Sequence, residues 1–213
     1  LEDHDEIDLI STNKSVYGYL AIGADLNLDY QWKSCSINTK ANIGSNKGKK
    51  LQVNQKIEVS NIKELSRRKL DHINSKIENI RVIKGTNFHY FSKESQAKFF
   101  KKEYSVTKLT DRMGMRLEGE RLDNIINTNI KSEGLVKGVI QIPADGNPII
   151  MLADHGTIGG YPKIATVISA DFDKLSQLTP GSKIKFKEVN LKDAETIFKL
   201  YEMETNNIIS KIL

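Results

Sequence analysis

The sequence predicts a mainly β protein with a few helices. Three features carry that expectation: seven short runs rich in β-branched and aromatic residues, turn-forming residues flanking each run, and few stretches with helical spacing. The runs fall at 15–22, 56–59, 80–83, 136–142, 148–153, 164–169 and 183–189. Between the first two, 41–50 is rich in Gly, Asn and Lys and is expected to be an exposed loop. Residues 60–76 are charged, with apolar positions only at Ile62, Leu65, Leu70 and Ile73. Without a second apolar stripe this stretch is expected to be a linker or a loosely packed helix. The expected division is therefore 1–60 as the remainder of an N-terminal β subdomain, 61–79 as linker, and 80–213 as a β domain ending in a helix.

Three helices are expected. The first covers 92–104, with Ser92 as N-cap and Ala97, Phe99 and Phe100 as apolar contacts. The second covers 171–178, with Asp171 as cap and a stop at Thr179-Pro180-Gly181. The third starts after Asn190, where Leu191, Ala194, Ile197, Phe198, Tyr201, Ile208 and Ile212 recur at helical spacing and Asp193 completes a box-like start. Such a tail docks on its own domain or packs against a partner protein.

Composition narrows the function classes. The 213 residues are 38% hydrophobic and 28% charged, with 4 Pro and 14 Gly, as in folded domains. No apolar run approaches the roughly 18 residues of a spanning helix, and the acidic start (Glu2, Asp3, Asp5, Glu6, Asp8) is unlike a signal peptide. The expectation is a cytoplasmic protein without a membrane partner. Cys35 is the single cysteine, so an internal disulfide and a multi-cysteine metal site are excluded. The four histidines (His4, His72, His89, His155) lack metal-ligand spacing, and no metal is expected. The net charge of +5 is concentrated in the middle: residues 33–108 hold eighteen Lys and Arg against six acids. These cations are scattered among Asn, Ser and Gln without interleaved aromatics, which reads as a solvated basic face and not a nucleic-acid surface. The chain opens on Leu1, which suggests part of a longer protein. No Walker loop, nucleophile elbow or dinucleotide fingerprint is present.

Two clusters combine residue types that chemistry uses. In the first, Asp145-Gly146 joins two apolar strands as a turn pair, and the second strand runs through Asp154 and His155 to Gly159, Gly160, Tyr161, Pro162 and Lys163. Closely spaced glycines bring backbone amides to an anion or a carboxamide; the plainer alternative is two turns closing a barrel. Asp145 and Asp154, about 20 Å apart on a straight strand, do not form an acid–base pair with each other. Each orients a donor or a metal singly, or caps turn amides. The second cluster, Asp111-Arg112-Met113-Gly114-Met115-Arg116-Leu117-Glu118-Gly119, places two arginines four apart. They suit a carboxylate or phosphate clamp, or else Asp111 and Arg116 form a structural ion pair.

Together, Asp111 to Gly114, Arg116 to Gly119, Gly138-Val-Ile-Gln141-Ile-Pro143-Ala-Asp145-Gly146-Asn-Pro148 and Gly159-Gly160-Tyr161-Pro162-Lys163-Ile-Ala165 resemble the signature of the allophanate hydrolase subunit 2 family. That family takes in the C subunit of 5-oxoprolinase, KipA-like proteins and a domain of urea carboxylase and urea amidolyase. The resemblance runs from about Tyr17 to Val189, more loosely in its early part, and implies a cyclophilin-like β-barrel, here N-terminally incomplete. It also implies a partner of the allophanate hydrolase subunit 1 (KipI-like) type, a LamB/YcsF-like subunit, and a small amide or lactam substrate opened with ATP. Gln141, Asp154, Tyr161 and Lys163 are then the catalytic candidates. Arg112, Arg116, Asp145, Gly159 and Gly160 are the substrate-binding ones, the arginines for a carboxylate and the glycines for phosphate. No biotin-attachment context is present. Alternatives under the same resemblance are a KipA-like regulator that binds a kinase inhibitor, and a biotin-dependent carboxyltransferase component.

The sequence departs from the pattern at two places. Asp154-His155-Gly156-Thr157-Ile158 stands where the family commonly has Asp-Arg-Gln-Thr-Thr, and Ser34-Cys35-Ser36-Ile37 where it has Ser-Arg-Ser-Thr. The lost polar groups imply an altered substrate or lost catalysis.

Overall fold

The computed structural model describes residues 5–8, 15–64, 77, 79–126 and 129–211, in two compact units, Leu1–Gly18 with Leu70–Leu213 and Tyr19–Lys69. Most of the expected linker, 65–76, lies outside the described residues.

The smaller unit holds a two-stranded antiparallel sheet, β1 (Asp25–Leu26) with β2 (Val59–Ser60), and isolated bridges Gln31↔Ser34 and Asn38↔Ile43. Its 41–50 stretch is a loop, as expected, although Ser45 and Gly48 within it are buried.

The larger unit contains the remaining strands: β3 (Asn79–Lys84), β4 (Tyr104–Val106), β5 (Gly114–Glu118), β6 (Glu133–Gly134), β7 (Val139–Gln141), β8 (Ile149–Met151), β9 (Ile158–Gly159), β10 (Lys163–Val167) and β11 (Lys183–Glu188). Seven of them close a barrel in the order β10-β3-β11-β4-β5-β8-β7, with β7 pairing back onto β10. Every ladder of the barrel is antiparallel except β11 on β3. The cyclophilin-like, mainly β expectation is met in this closed barrel, and β6 pairs with β9 as a separate ribbon.

Alternation explains the closure. In β11, Ile184 and Phe186 are buried while the intervening lysines face water; in β3, Ile80 and Val82 do the same. With Met115, Leu117, Ile140, Ile150 and Ile164 they fill the interior. Each fully buried aliphatic side chain contributes about 1.5–3 kcal/mol. Helix α1 (Lys93–Lys101) adds Phe99, stacked on Phe186 with ring centroids 4.4 Å apart. Its cap is as expected: Ser92 accepts from the Ser95 amide. Helix α3 (Leu191–Ser210) is capped by Asn190, which accepts from the Asp193 amide at 2.8 Å, and docks through Ala194, Ile197, Phe198 and Tyr201. Ile212 lies outside the described residues. Among the described residues no helix is long and apolar enough to cross a membrane.

Three expectations are corrected. Helix α2 spans Ser169–Ser176, so Asp171 is inside its first turn and not its cap. The Asp171 carboxylate is buried and accepts instead from the Arg81 amide (2.7 Å) and guanidinium, joining α2 to β3. No strand forms over 15–22: the amides of Val16 and Tyr17 donate to Gln177 Oε1, so a side-chain amide takes the place of a strand partner. Finally, Asp111 does not pair with Arg116; Asp111 Oδ1 accepts from the amides of Met113 and Gly114, a local turn that starts β5.

Candidate functional site

Strand register places the site on the outer face of the barrel. Arg116 on β5 pairs with Ile149 on β8, Ile149 with Gln141 on β7, and Gln141 with Lys163 on β10. Directly opposed residues share a face. The neighbours on either side of this row, Met115, Ile140, Ile150 and Ile164, belong to the barrel interior, so the row faces outward. A register shift between Lys163 and Ala165 lets Lys163 stay in the row while Ile164 and Ala165 remain buried. Beside the row, two residues along β7 and β8, Val139 and Met151 form a second apolar cluster with Leu135 and Ile149.

Gln141 is 4% exposed, and its Nε2 donates to the Tyr161 carbonyl at 2.9 Å. Gly159 is packed against that carboxamide. A Cβ there would stand 2.9 Å from Gln141 Nε2 and 2.9 Å from Leu135 Cδ1, closer than real side chains tolerate. Gly160 faces the Ile130 carbonyl, 3.2 Å from where its Cβ would be. The glycine pair therefore serves close packing on Gln141 and on a carbonyl.

Lys163 is fixed at both ends. Its amide donates to Asn87 Oδ1 (3.0 Å), while its Nζ reaches Glu133 Oε2 (2.5 Å) and the Gly134 carbonyl (3.3 Å). Glu133 sits on β6 in register with Gly159. The Lys163 ammonium holds the Glu133 carboxyl below its ordinary range against the opposing desolvation, with the least of the contributions from the Asn87 side chain. Gln141, Gly159, Gly160, Tyr161 and Lys163 are thus one cluster, joined by Glu133 and Asn87. Sequence reasoning missed these last two. A two-residue strand has no periodicity, and nothing local ties Asn87 to a lysine 76 positions away.

The other candidates lie apart. Arg112 makes a bidentate pair with Asp154, Nε to Oδ2 at 2.7 Å and a second nitrogen to Oδ1 at 3.0 Å. The Asp154 amide donates to the Arg112 carbonyl, which puts this pair beyond Gly114 and Met151, at the end of the β5–β8 ladder away from Gln141. Arg116 is exposed and in line with the cluster, about 10 Å from Gln141 at two strand spacings. Asp145 accepts from the Asn147 amide (3.0 Å) in the β7–β8 connection, where Gly146 takes φ +77 and its amide bonds the Pro143 carbonyl. In the departing loop, His155 Nδ1 contacts the Gly156 carbonyl at 2.6 Å. Among the described residues no group of three His, Cys, Asp or Glu is arranged to hold a metal ion.

The cluster contains one cation, Lys163, one anion, Glu133, and two carboxamides, Gln141 and Asn87. It is neutral overall and rich in both donors and acceptors, so it can bind a neutral amide and stabilise negative charge developing on its oxygen. Comparison with known proteins agrees with the fold. The C subunit of 5-oxoprolinase from Haemophilus influenzae is 33% identical over 202 residues, covering 91% of this chain and 62% of that protein. The protein of the same name from Escherichia coli is 32% identical over 178 residues, covering 83% and 57%. This chain thus spans about three-fifths of the length of these curated relatives. The crystal structure of Kluyveromyces lactis urea carboxylase is similar with a TM-score of 0.74 at 21% identity, over 88% of this chain and 19% of that one, a likeness of fold. A model of the carboxyltransferase domain, subdomain A and B, matches residues 1–188, and the chain belongs to that family.

Proposed function

We propose that this chain supplies the amide-binding surface of an ATP-dependent 5-oxoprolinase-type hydrolase, a cytoplasmic assembly with an allophanate hydrolase subunit 1-like (KipI-like) partner and a LamB/YcsF-like subunit. The observation that carries the reading is the neutral cluster of Gln141, Lys163 and Glu133 beneath the β6–β9 ribbon. Its support from comparison is the identity with the C subunits of two 5-oxoprolinases.

In this reading Lys163 Nζ donates to the lactam oxygen and stabilises the charge that grows there as the carbonyl carbon is attacked, before the C–N bond breaks. Gln141, anchored on the Tyr161 carbonyl, shapes the floor. Arg116, in the same row, takes the substrate carboxylate. The residues around Gly159 and Gly160 do not fit a polyphosphate, because the Ile130 carbonyl faces Gly160 and Lys163 Nζ is engaged by Glu133 and the Gly134 carbonyl. ATP, whose role is to activate the amide, is therefore assigned to a surface of the assembly outside this cluster.

The test is ATP turnover by the co-expressed subunits with and without 5-oxo-L-proline. Stimulated turnover with glutamate release supports the reading, and a stable complex without turnover contradicts it. A second reading, favoured by the match to the carboxyltransferase family, is a biotin-dependent carboxyltransferase component. It predicts biotin-dependent carboxylation of urea by the same assembly. The regulatory, KipA-like reading predicts binding of a KipI-like chain with neither reaction.

A further inference from the structure

The Lys163–Glu133 pair offers a ligand more than charge neutrality. An ammonium has three donors. Two are engaged, one by Glu133 Oε2 and one by the Gly134 carbonyl, and one is left. A carboxylate has about four acceptor positions. Glu133 accepts from Lys163 and keeps capacity beyond it. A spare donor and a spare acceptor therefore stand side by side. Both are preorganised: the Lys163 backbone is bonded to Asn87, and the Glu133 backbone is paired with Gly159. The Glu133 side chain is 39% exposed and that of Lys163 12%, so the acceptor is the more open of the two to solvent.

This arrangement matches an edge that a secondary amide presents only when its C=O and N–H lie on the same side. Peptide-like amides are trans, with C=O and N–H on opposite sides, whereas a small lactam ring forces them onto the same side. We propose that Lys163 and Glu133 together recognise the cis edge of the substrate amide, Lys163 Nζ donating to the carbonyl and Glu133 accepting from the N–H. Glu133 is then a specificity-determining residue. It selects cyclic amides over open-chain secondary amides, whose N–H points away from the carbonyl oxygen, and over lactones, which have no N–H. This inference rests on the lactam reading above and goes beyond it in assigning Glu133 and the amide geometry.

The test is calorimetric titration of the assembled complex without ATP, using 5-oxo-L-proline and the lactone of the same ring size and carboxylate, which has oxygen in place of N–H. Removing the donor leaves a charged acceptor facing a ring oxygen, so wild type is expected to prefer the lactam by about tenfold or more. In Glu133→Ala that preference is expected to shrink to about twofold or less. Wild type binding both ligands equally overturns the assignment of Glu133 without needing a folded variant. A lactam preference that persists in Glu133→Ala overturns it too, and in both cases the lactam reading stands. Wild type binding neither ligand overturns the lactam reading and this inference with it.

Discussion

Gly159 lies against the Gln141 carboxamide so closely that a single added carbon would be 2.9 Å from Nε2 and 3.1 Å from Oε1. The contact ties the β6–β9 ribbon to the barrel's outer face at the candidate site. Gly159→Ala is expected to push Gln141 off the Tyr161 carbonyl. Overpacking of this kind costs about 1–3 kcal/mol of stability, read from urea unfolding. Lactam affinity is expected to fall about tenfold, because the displaced carboxamide is part of the floor.

The row Arg116–Ile149–Gln141–Lys163 separates the two arginines that the sequence treats alike. Arg116→Ala is expected to weaken binding of 5-oxo-L-proline about tenfold and leave 2-pyrrolidone, which has no carboxylate, unchanged. Arg112→Ala, at the far end of the β5–β8 ladder, is expected to change both affinities less than about twofold. Its ion pair with Asp154 is 60% exposed on the arginine side, so stability should fall by less than about 1 kcal/mol.

Asp171 is 1% exposed and accepts from both the backbone and the side chain of Arg81. Asp171→Ala leaves those donors without their partner where α2 meets β3. The expected loss is about 3 kcal/mol, or roughly 6–12 °C in Tm for a protein of this size, with lactam binding unaffected at low temperature. Calorimetric melting of the variant checks it.

The depressed Glu133 carboxyl gives a pH dependence of definite sign. A folded-state pKa below the unfolded value of about 4.3 means that the pair's contribution is complete above that value. It is lost as pH falls through the lower, folded value. The Glu133 carboxyl signal, followed by carbon NMR, is therefore expected to titrate below about pH 4.3. In Lys163→Met its midpoint should move upward, since the largest cause of the depression is gone.

Where local chemistry decides the structure, the sequence was enough to read it. Ser92 and Asn190 cap their helices because the capping bonds are made within three residues. The runs around Val82, Ile140, Ile150 and Phe186 form barrel strands because alternation or apolar continuity marks them. Long-range partnership was not legible. Asp171 looks like a cap in sequence, yet Arg81, 90 positions earlier, claims its carboxylate. Tyr104–Val106 is too short and too close to α1 to stand out as β4. In the candidate site, the glycine pair, Gln141, Tyr161 and Lys163 were visible as a cluster of unusual residue types. Glu133 and Asn87 became visible only when the ribbon and the β3–α1 connection brought them to Lys163.

The proposed function places amide binding at the outer-face cluster around Lys163. Its most direct test is glutamate release from 5-oxo-L-proline by the co-expressed subunits, comparing wild type with Lys163→Met in complexes shown to be intact by size-exclusion chromatography. ATP-dependent release by wild type is expected, with a loss of at least about 100-fold in the variant, the scale of one oxyanion donor. Equal rates in the two complexes would contradict it.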